Sequence, residues 1–325
     1  MIVAVTGCLG YIGSNVCARL LSEGYEVIGI DNTAHSEFSR LWDIERVAGK
    51  KFKRFYIDDL AENPNSIDLS GVDIILHFAS YISVEESVNR PLSYYNNNIN
   101  STINVCKLAK SYGVKKIIYS SSATVYNTDL CEAPYSEGDP VRGTTPYGRT
   151  KLYSEEILKD FIESEEDMQL LIFRFFNPAG TDESGLLRDL TKSHLFPSIL
   201  RAISLKLPLV IYGCQYDTFD GTCERDYVHI SDLVDGHILG IQYLNTHSDR
   251  VTTLNLGTGK STTVKEIFDT MNNLLDGALS YTYGPERDGD VAKLYADISN
   301  ARKVLGYEPK KSIEDICRSE LGGMI

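Results

Sequence analysis

No stretch of this chain runs for 18 apolar residues without a break, so no membrane-spanning helix is expected. The amino terminus, MIVAVTG, lacks a basic leader and an apolar run of secretory length, and reads as a strand that starts at once. The seven cysteines (Cys8, Cys17, Cys106, Cys131, Cys214, Cys223 and Cys317) form no C-x-x-C pair, and the six histidines form no H-x-x-x-H pair. A zinc site or disulfide framework is therefore not expected; reduced thiols in the cytoplasm are. Basic residues are scarce: 32 Lys+Arg against 45 Asp+Glu, a net charge of −13. That balance excludes a sequence-independent nucleic-acid binder. It still allows a few placed arginines to hold an anionic small molecule. Repeats and low-complexity tracts are also missing.

What the chain does have is alternation. Apolar runs at 2–6, 26–30, 53–57, 72–79, 115–121 and 168–176 read as strands, separated by helical spacing at 12–23, about 92–112 and 147–162. This pattern predicts an α/β fold, a Rossmann-type doubly wound parallel sheet. After residue 176 Gly- and Asp-rich loops separate helices near 196–206, 231–245, 263–275, 299–305 and 313–321, with strands at 209–212 and 252–256. The expected division is a nucleotide-binding domain over 1–175, with a return segment at about 225–256, and a smaller α/β substrate lobe over 176–325.

TGCLGYIG follows the first strand and opens the first helix. Its glycines, Gly7, Gly10 and Gly13, suit a tight turn, close approach to a pyrophosphate and close helix–strand contact. Asp31 ends the second strand, where a carboxylate accepts the adenosine ribose hydroxyls and repels a 2′-phosphate, which favours NAD over NADP.

The stretch YGRTK places Tyr147 and Lys151 one helical turn apart, on one face. SSSATVY follows the fifth strand and puts Ser122 at the carboxyl-end crevice of a doubly wound sheet. A phenol beside an ammonium, with a serine to bond the substrate oxygen, suits removal of a hydroxyl proton during hydride transfer from a secondary alcohol.

TGCLGYIG, SSSATVY, YGRTK and RFFNPAG together resemble the extended short-chain dehydrogenase/reductase family, in particular its UDP-glucose 4-epimerase branch. The resemblance continues through PLSYYNNNIN, DGTCERDYVHISDLVDGH and RDGDVAKLYADISNARKVLGY, and so covers nearly the whole chain. It implies that Tyr147 is the base, with Ser122 and Lys151 its partners. It implies an NAD site of Gly7, Gly10, Tyr11, Ile12, Gly13, Asp31, Asn32, Asp59, Leu60, Phe78, Ala79, Asn97, Tyr147, Lys151 and Phe176. Asp58 competes with Asp59, because IDDL aligns either way. The implied substrate site is Ser122, Thr124, Tyr147, Asn177, His194, Leu195, Tyr212, Arg225, Arg287, Asp290 and Leu294. Arg225 and Arg287 suit a diphosphate, and Tyr212 a stack on uracil. Three positions depart from the family pattern. Ile82 replaces a cofactor-binding lysine, His194 replaces an asparagine, and Leu294 lies between the tyrosine of members that exclude N-acetyl sugars and the small residue of those that admit them. The implied reaction is C4 epimerisation of a UDP-hexose, plain or N-acetylated, by a homodimer with no metal. Sister chemistries, 4,6-dehydration or glucuronate modification, and a non-catalytic nucleotide sensor are the alternatives.

Overall fold

The computed structural model describes residues 1–62, 64, 66–287 and 289–322. The first half runs β1 (Ile2–Thr6), α1 (Tyr11–Ser22), β2 (Glu26–Asp31), α2 (Arg40–Ala48), β3 (Arg54–Ile57), β4 (Ile74–His77), α3 (Val84–Asn89), α4 (Pro91–Tyr112), β5 (Lys116–Ser122), α5 (Pro146–Ser164) and β6 (Gln169–Phe175). It continues through β7 (Asn177–Ala179), α6 (Leu195–Leu205), β8 (Leu209–Tyr212), β9 (Glu224–Arg225), β10 (Tyr227–His229), α7 (Ile230–Thr246) and β11 (Val251–Leu256). The last elements are β12 (Thr262–Thr263), α8 (Val264–Leu274), β13 (Tyr281–Gly284), β14 (Lys293–Leu294), α9 (Ser299–Leu305) and α10 (Ile313–Leu321).

Seven strands form one parallel sheet in the order β3-β2-β1-β4-β5-β6-β11. The period of two explains its two faces. Val3 and Val5 point to the side of α1 and α7, where they meet Val16, Leu20, Leu233 and Ile241, all buried. Ala4 points the other way, to the layer built by Val105 of α4 and Leu158 of α5. The chain reverses direction between β1 and β4, and such a switch point opens a crevice at the strands' carboxyl ends. A separate core joins Phe196 and Ile199 of α6, Phe268 and Met271 of α8 and Ile316 of α10.

The α/β doubly wound class is therefore as the alternation predicts. Differences lie in small elements. Helices α2 and α3 lie where the sequence pattern predicts none; α2 buries only Arg40 and Ile44, too little for a visible apolar stripe. Strand β7 falls within the loop expected at 177–185 and β9 within the loop expected at 213–226. At three and two residues, neither is long enough to show a period.

Candidate active site

Local chemistry sets the position of the phenol. Thr145 caps α5 by accepting from the Gly148 N–H at 3.2 Å, and Pro146 occupies the first helical position, where its missing N–H is harmless. A side chain at Gly148 would lie 2.6 Å from the Thr124 carbonyl oxygen, so only glycine lets α5 start this close to the turn after β5. Tyr147 is thereby held beside Ser122. The Ser122 hydroxyl accepts from Thr124 N at 3.2 Å and from Thr124 Oγ1 at 3.0 Å. One turn on, Lys151 is 2% exposed, and its Nζ donates to the Ser120 carbonyl at 2.7 Å. The ammonium lies 5.9 Å from the Tyr147 ring centre and 5.2 Å from that of Tyr119.

Burial dominates the electrostatics. It pushes the Tyr147 phenol up to about 12, with the Ser122 hydroxyl a smaller opposing effect. It pushes Lys151 down to about 7, against the attraction of Glu155. The protein groups alone thus hold the phenol above its ordinary value, further from the neutral range in which a base would work.

The glycine loop is built as expected. Gly7 has φ +66°, and a Cβ there would stand 2.7 Å from Ala79 N; a Cβ on Gly13 would stand 2.2 Å from the Gly7 carbonyl oxygen. Asp31 is buried, accepting from Leu9 N at 3.0 Å, Thr33 N at 2.9 Å and Ser36 Oγ at 2.8 Å. Both acids of the Asp58/Asp59 alternative line the same cleft, with different partners. Asp59 accepts from Asn32 Nδ2 at 3.0 Å, facing the neighbour of Asp31, whereas Asp58 accepts from the Ser66 hydroxyl.

Gly7, Gly13, Asp31, Asn32, Asp58, Asp59, Ser122, Tyr147 and Lys151 all line one cleft of about 1650 Å³, well beyond the ~300–1,000 Å³ of most single-ligand sites. Tyr11, Ile12, Leu60, Phe78, Asn97 and Phe176, expected at the cofactor, and Asn177, Leu195 and Leu294, expected at the substrate, line it as well. Ile82 lines it too, 43% exposed and offering no charge where the family pattern has a lysine. The cleft suits a dinucleotide on its own terms: the glycine cradle has no room for side chains, and the shielded Ser80 Oγ on its wall has no protein partner.

Among the residues expected to hold substrate, the side chains are more committed than a sequence reveals. The guanidinium of Arg287 lies 3.9 Å from the Tyr212 ring centre, so one face of that ring is already covered. Arg225 donates to the Val291 carbonyl at 2.7 Å and reaches Asp290 at 3.3 Å, making an ion pair of two groups expected in the substrate site. His194 Nδ1 is 2.5 Å from Asp189 Oδ2, and Asp189 is buried.

Sequence reasoning missed several lining residues. Ser36 lies five positions past Asp31, in the loop that any Rossmann strand must send over its ligand; that position was the available signal. Arg40, 5% exposed, donates to the Arg188 carbonyl at 2.9 Å and lines the cleft. Glu320 comes from the last helix, accepts from Gly180 N at 2.9 Å, and is pushed by burial up to about 7. Nothing local marks it, since tertiary folding alone brings it there.

Comparison with known proteins agrees with this architecture. The model of the NAD dependent epimerase/dehydratase family matches residues 3–257. UDP-glucose 4-epimerase of Bacillus subtilis is 36% identical over 325 residues, covering 98% of this chain and 95% of that protein. Among solved structures, UDP-glucose 4-epimerase from Bifidobacterium longum, in complex with NAD+ and UDP, is 38% identical with a TM-score of 0.93, covering 99% and 97% of the two chains. The UDP-Glc/GlcNAc 4-epimerase of Campylobacter jejuni is 31% identical with a TM-score of 0.82, covering 98% and 97%. Identity at this level along nearly the full length, on a matching fold, leads to one conclusion: the chain belongs to the NAD dependent epimerase/dehydratase family.

Proposed function

We propose that this protein is an NAD-dependent isomerase that inverts C4 of a UDP-hexose. The observation that carries the reading is that the Ser122–Tyr147–Lys151 group lines one cleft together with the glycine loop and Asp31 and with Arg287, Tyr212 and Arg225. NAD, when bound, supplies a two-electron acceptor for the C4 hydride and a positive charge in the cleft. Gly7, Gly10, Gly13 and Asp31 hold it, with Asn32 and Asp59 at the adenosine side. Tyr147 takes the 4-hydroxyl proton and later returns it, while Ser122 donates to the same oxygen. Bringing the phenol from about 12 to near 7 takes about 7 kcal/mol of charge stabilisation, at about 1.4 kcal/mol per pH unit. Lys151 alone is too close to its own titration to provide that. Arg287 and Arg225 hold the diphosphate by charge-assisted bonds, and the keto sugar turns about that anchor before reduction on its other face.

Dehydration is disfavoured because Ala123 and Thr124 follow Ser122, where an acid–base pair of carboxylates would be needed. Leu294, half-buried between the sheet pair β9–β14 and the cluster of Tyr126 and Phe176, leaves more room than a tyrosine, which favours acceptance of N-acetylated sugars as well as plain ones. We further propose a homodimer through α4 and α5, where Tyr95 and Tyr153 stack at 6.3 Å and Leu92 stands 81% exposed. All seven thiols are free, which suits a reducing cytoplasm.

The test is direct. Purified protein given UDP-galactose or UDP-N-acetylgalactosamine should yield the 4-epimer at unchanged mass. Tyr147→Phe should lower turnover by about 10²- to 10⁴-fold while NAD stays bound. Equal activity in the two proteins would sink the assignment of Tyr147.

A further inference from the structure

Behind the Ser122–Tyr147–Lys151 group lies an ion pair that the reaction as written does not use. The side chain of Glu155 is fully buried and that of Arg174, on β6, is 4% exposed. Arg174 Nε donates to Glu155 Oε1 at 3.1 Å and Nη2 to Oε2 at 2.8 Å. The Ser121 hydroxyl donates to the same Oε1. Arg174 also lies 5.0 Å from the Tyr126 ring centre and donates to the Glu137 carbonyl at 3.3 Å. A buried pair of this kind is poor evidence for stability, because desolvation cancels much of its attraction, and apolar residues of equal volume serve a fold as well. Its location is more telling. Ser121 stands between Ser120, whose carbonyl holds Lys151, and Ser122; Glu155 is one turn beyond Lys151 on α5.

Resting on the epimerase reading of that group, we propose that Glu155 is a positioning residue of the reaction. Through Ser121 it fixes the carboxyl end of β5, and with it the Ser120 carbonyl and the aim of Ser122, and its negative charge stands behind Lys151. The charged and titratable neighbours of Lys151 are few. β4 contributes His77, held neutral by burial; β5 contributes Tyr119; α5 contributes Tyr147 and Glu155; Arg174 of β6 lies beyond Glu155. From α4 comes the neutral Thr102, bonded to His77 and Ser154. Glu155 is the anion of this set.

Two substitutions separate geometry from charge. Glu155→Asp keeps the charge but withdraws the carboxylate by one methylene. Glu155→Gln keeps the shape and removes the charge. The NAD-bound protein is read in two ways: by the pH profile of kcat, and by the pH titration of the ε-carbon NMR resonance of labelled lysine that disappears in Lys151→Met. For Glu155→Asp, kcat should fall about ten- to a hundredfold with both titrations in place. For Glu155→Gln, the alkaline limb and the Lys151 resonance should both move down by about one pH unit or more. If Glu155→Gln does not fold, the paired change Glu155→Gln with Arg174→Gln removes the unpaired guanidinium and should shift both titrations in the same direction by a smaller amount, because a more distant cation is lost with the anion. In Glu155→Gln, loss of activity or stability with the Lys151 titration at its wild-type position would overturn the proposal and leave a merely structural pair. Should the wild type fail to epimerise any UDP-hexose, the reading of the site fails; the lysine titration needs no substrate and still decides the claim about Glu155.

Discussion

Lys151 should be a residue whose removal stabilises the protein. Its ammonium is almost wholly buried, donates to one carbonyl, and is pushed from the usual 10.5 to about 7. The difference of 3.5 pH units, at about 1.4 kcal/mol each, amounts to about 5 kcal/mol opposing the folded state whenever both states carry the proton. Below pH 7 that opposition is complete. Between 7 and 10.5 the folded chain has given up the proton and the unfolded chain has not, so stability rises with pH; above 10.5 the effect is gone. Lys151→Met removes the charge but leaves the Ser120 carbonyl short of a donor, which costs about 1–3 kcal/mol. The variant should therefore be about 2–4 kcal/mol more stable than wild type at pH 6, and this gap should shrink by about 2.7 kcal/mol on going to pH 9. Urea unfolding at the two pH values measures it, and other titrating groups cancel in the comparison. Turnover should be lost at both. A gap of the same size at pH 6 and pH 9, or a variant less stable at both, would refute the claim that burial of the ammonium dominates here.

Gly13→Ala places a Cβ 2.2 Å from the Gly7 carbonyl oxygen, so the loop must move; NAD released per mole of denatured protein should fall about tenfold or more, as befits a loss above about 1.4 kcal/mol. Arg287→Ala removes the cation over Tyr212 and a diphosphate partner. Its KM for the UDP-sugar should rise about ten- to a hundredfold with kcat within about threefold, since the anchor acts alike in ground and transition states. Leu294→Tyr should depress kcat/KM for N-acetylated substrate by about tenfold relative to the plain sugar, read as the ratio from parallel assays.

Much of this was legible in the chain because the signals were local. Alternating short apolar runs and amphipathic stretches carry the sheet, and Thr145, Pro146 and Gly148 surround Tyr147 with the residues that a helix start needs. The glycine triplet, Asp31 and the Tyr147–Lys151 spacing each sit beside the strand that positions them. What stayed hidden depends on partners distant in sequence. Arg287 reaches back to cover Tyr212, and Glu320 arrives from the last helix. Electrostatics were harder still, because the pKa of Tyr147 is set by desolvation, which no spacing displays. Glu155 left a trace that could have been read: an acid four residues past Lys151 on the inward face of α5 calls for a buried cation, and Arg174 in RFFNPAG is that cation.

Strand β11 lies outside β6, yet it is made only after β7, α6, β8 and α7. A nascent chain that has reached Phe175 therefore presents an open row of amides and carbonyls along β6 until Val251–Leu256 emerges from the ribosome. Cutting the gene after the sixth strand would leave that row permanently exposed, beside the apolar patch around Leu171 and Phe173 that α7 normally covers. Such a fragment should aggregate rather than bind nucleotide.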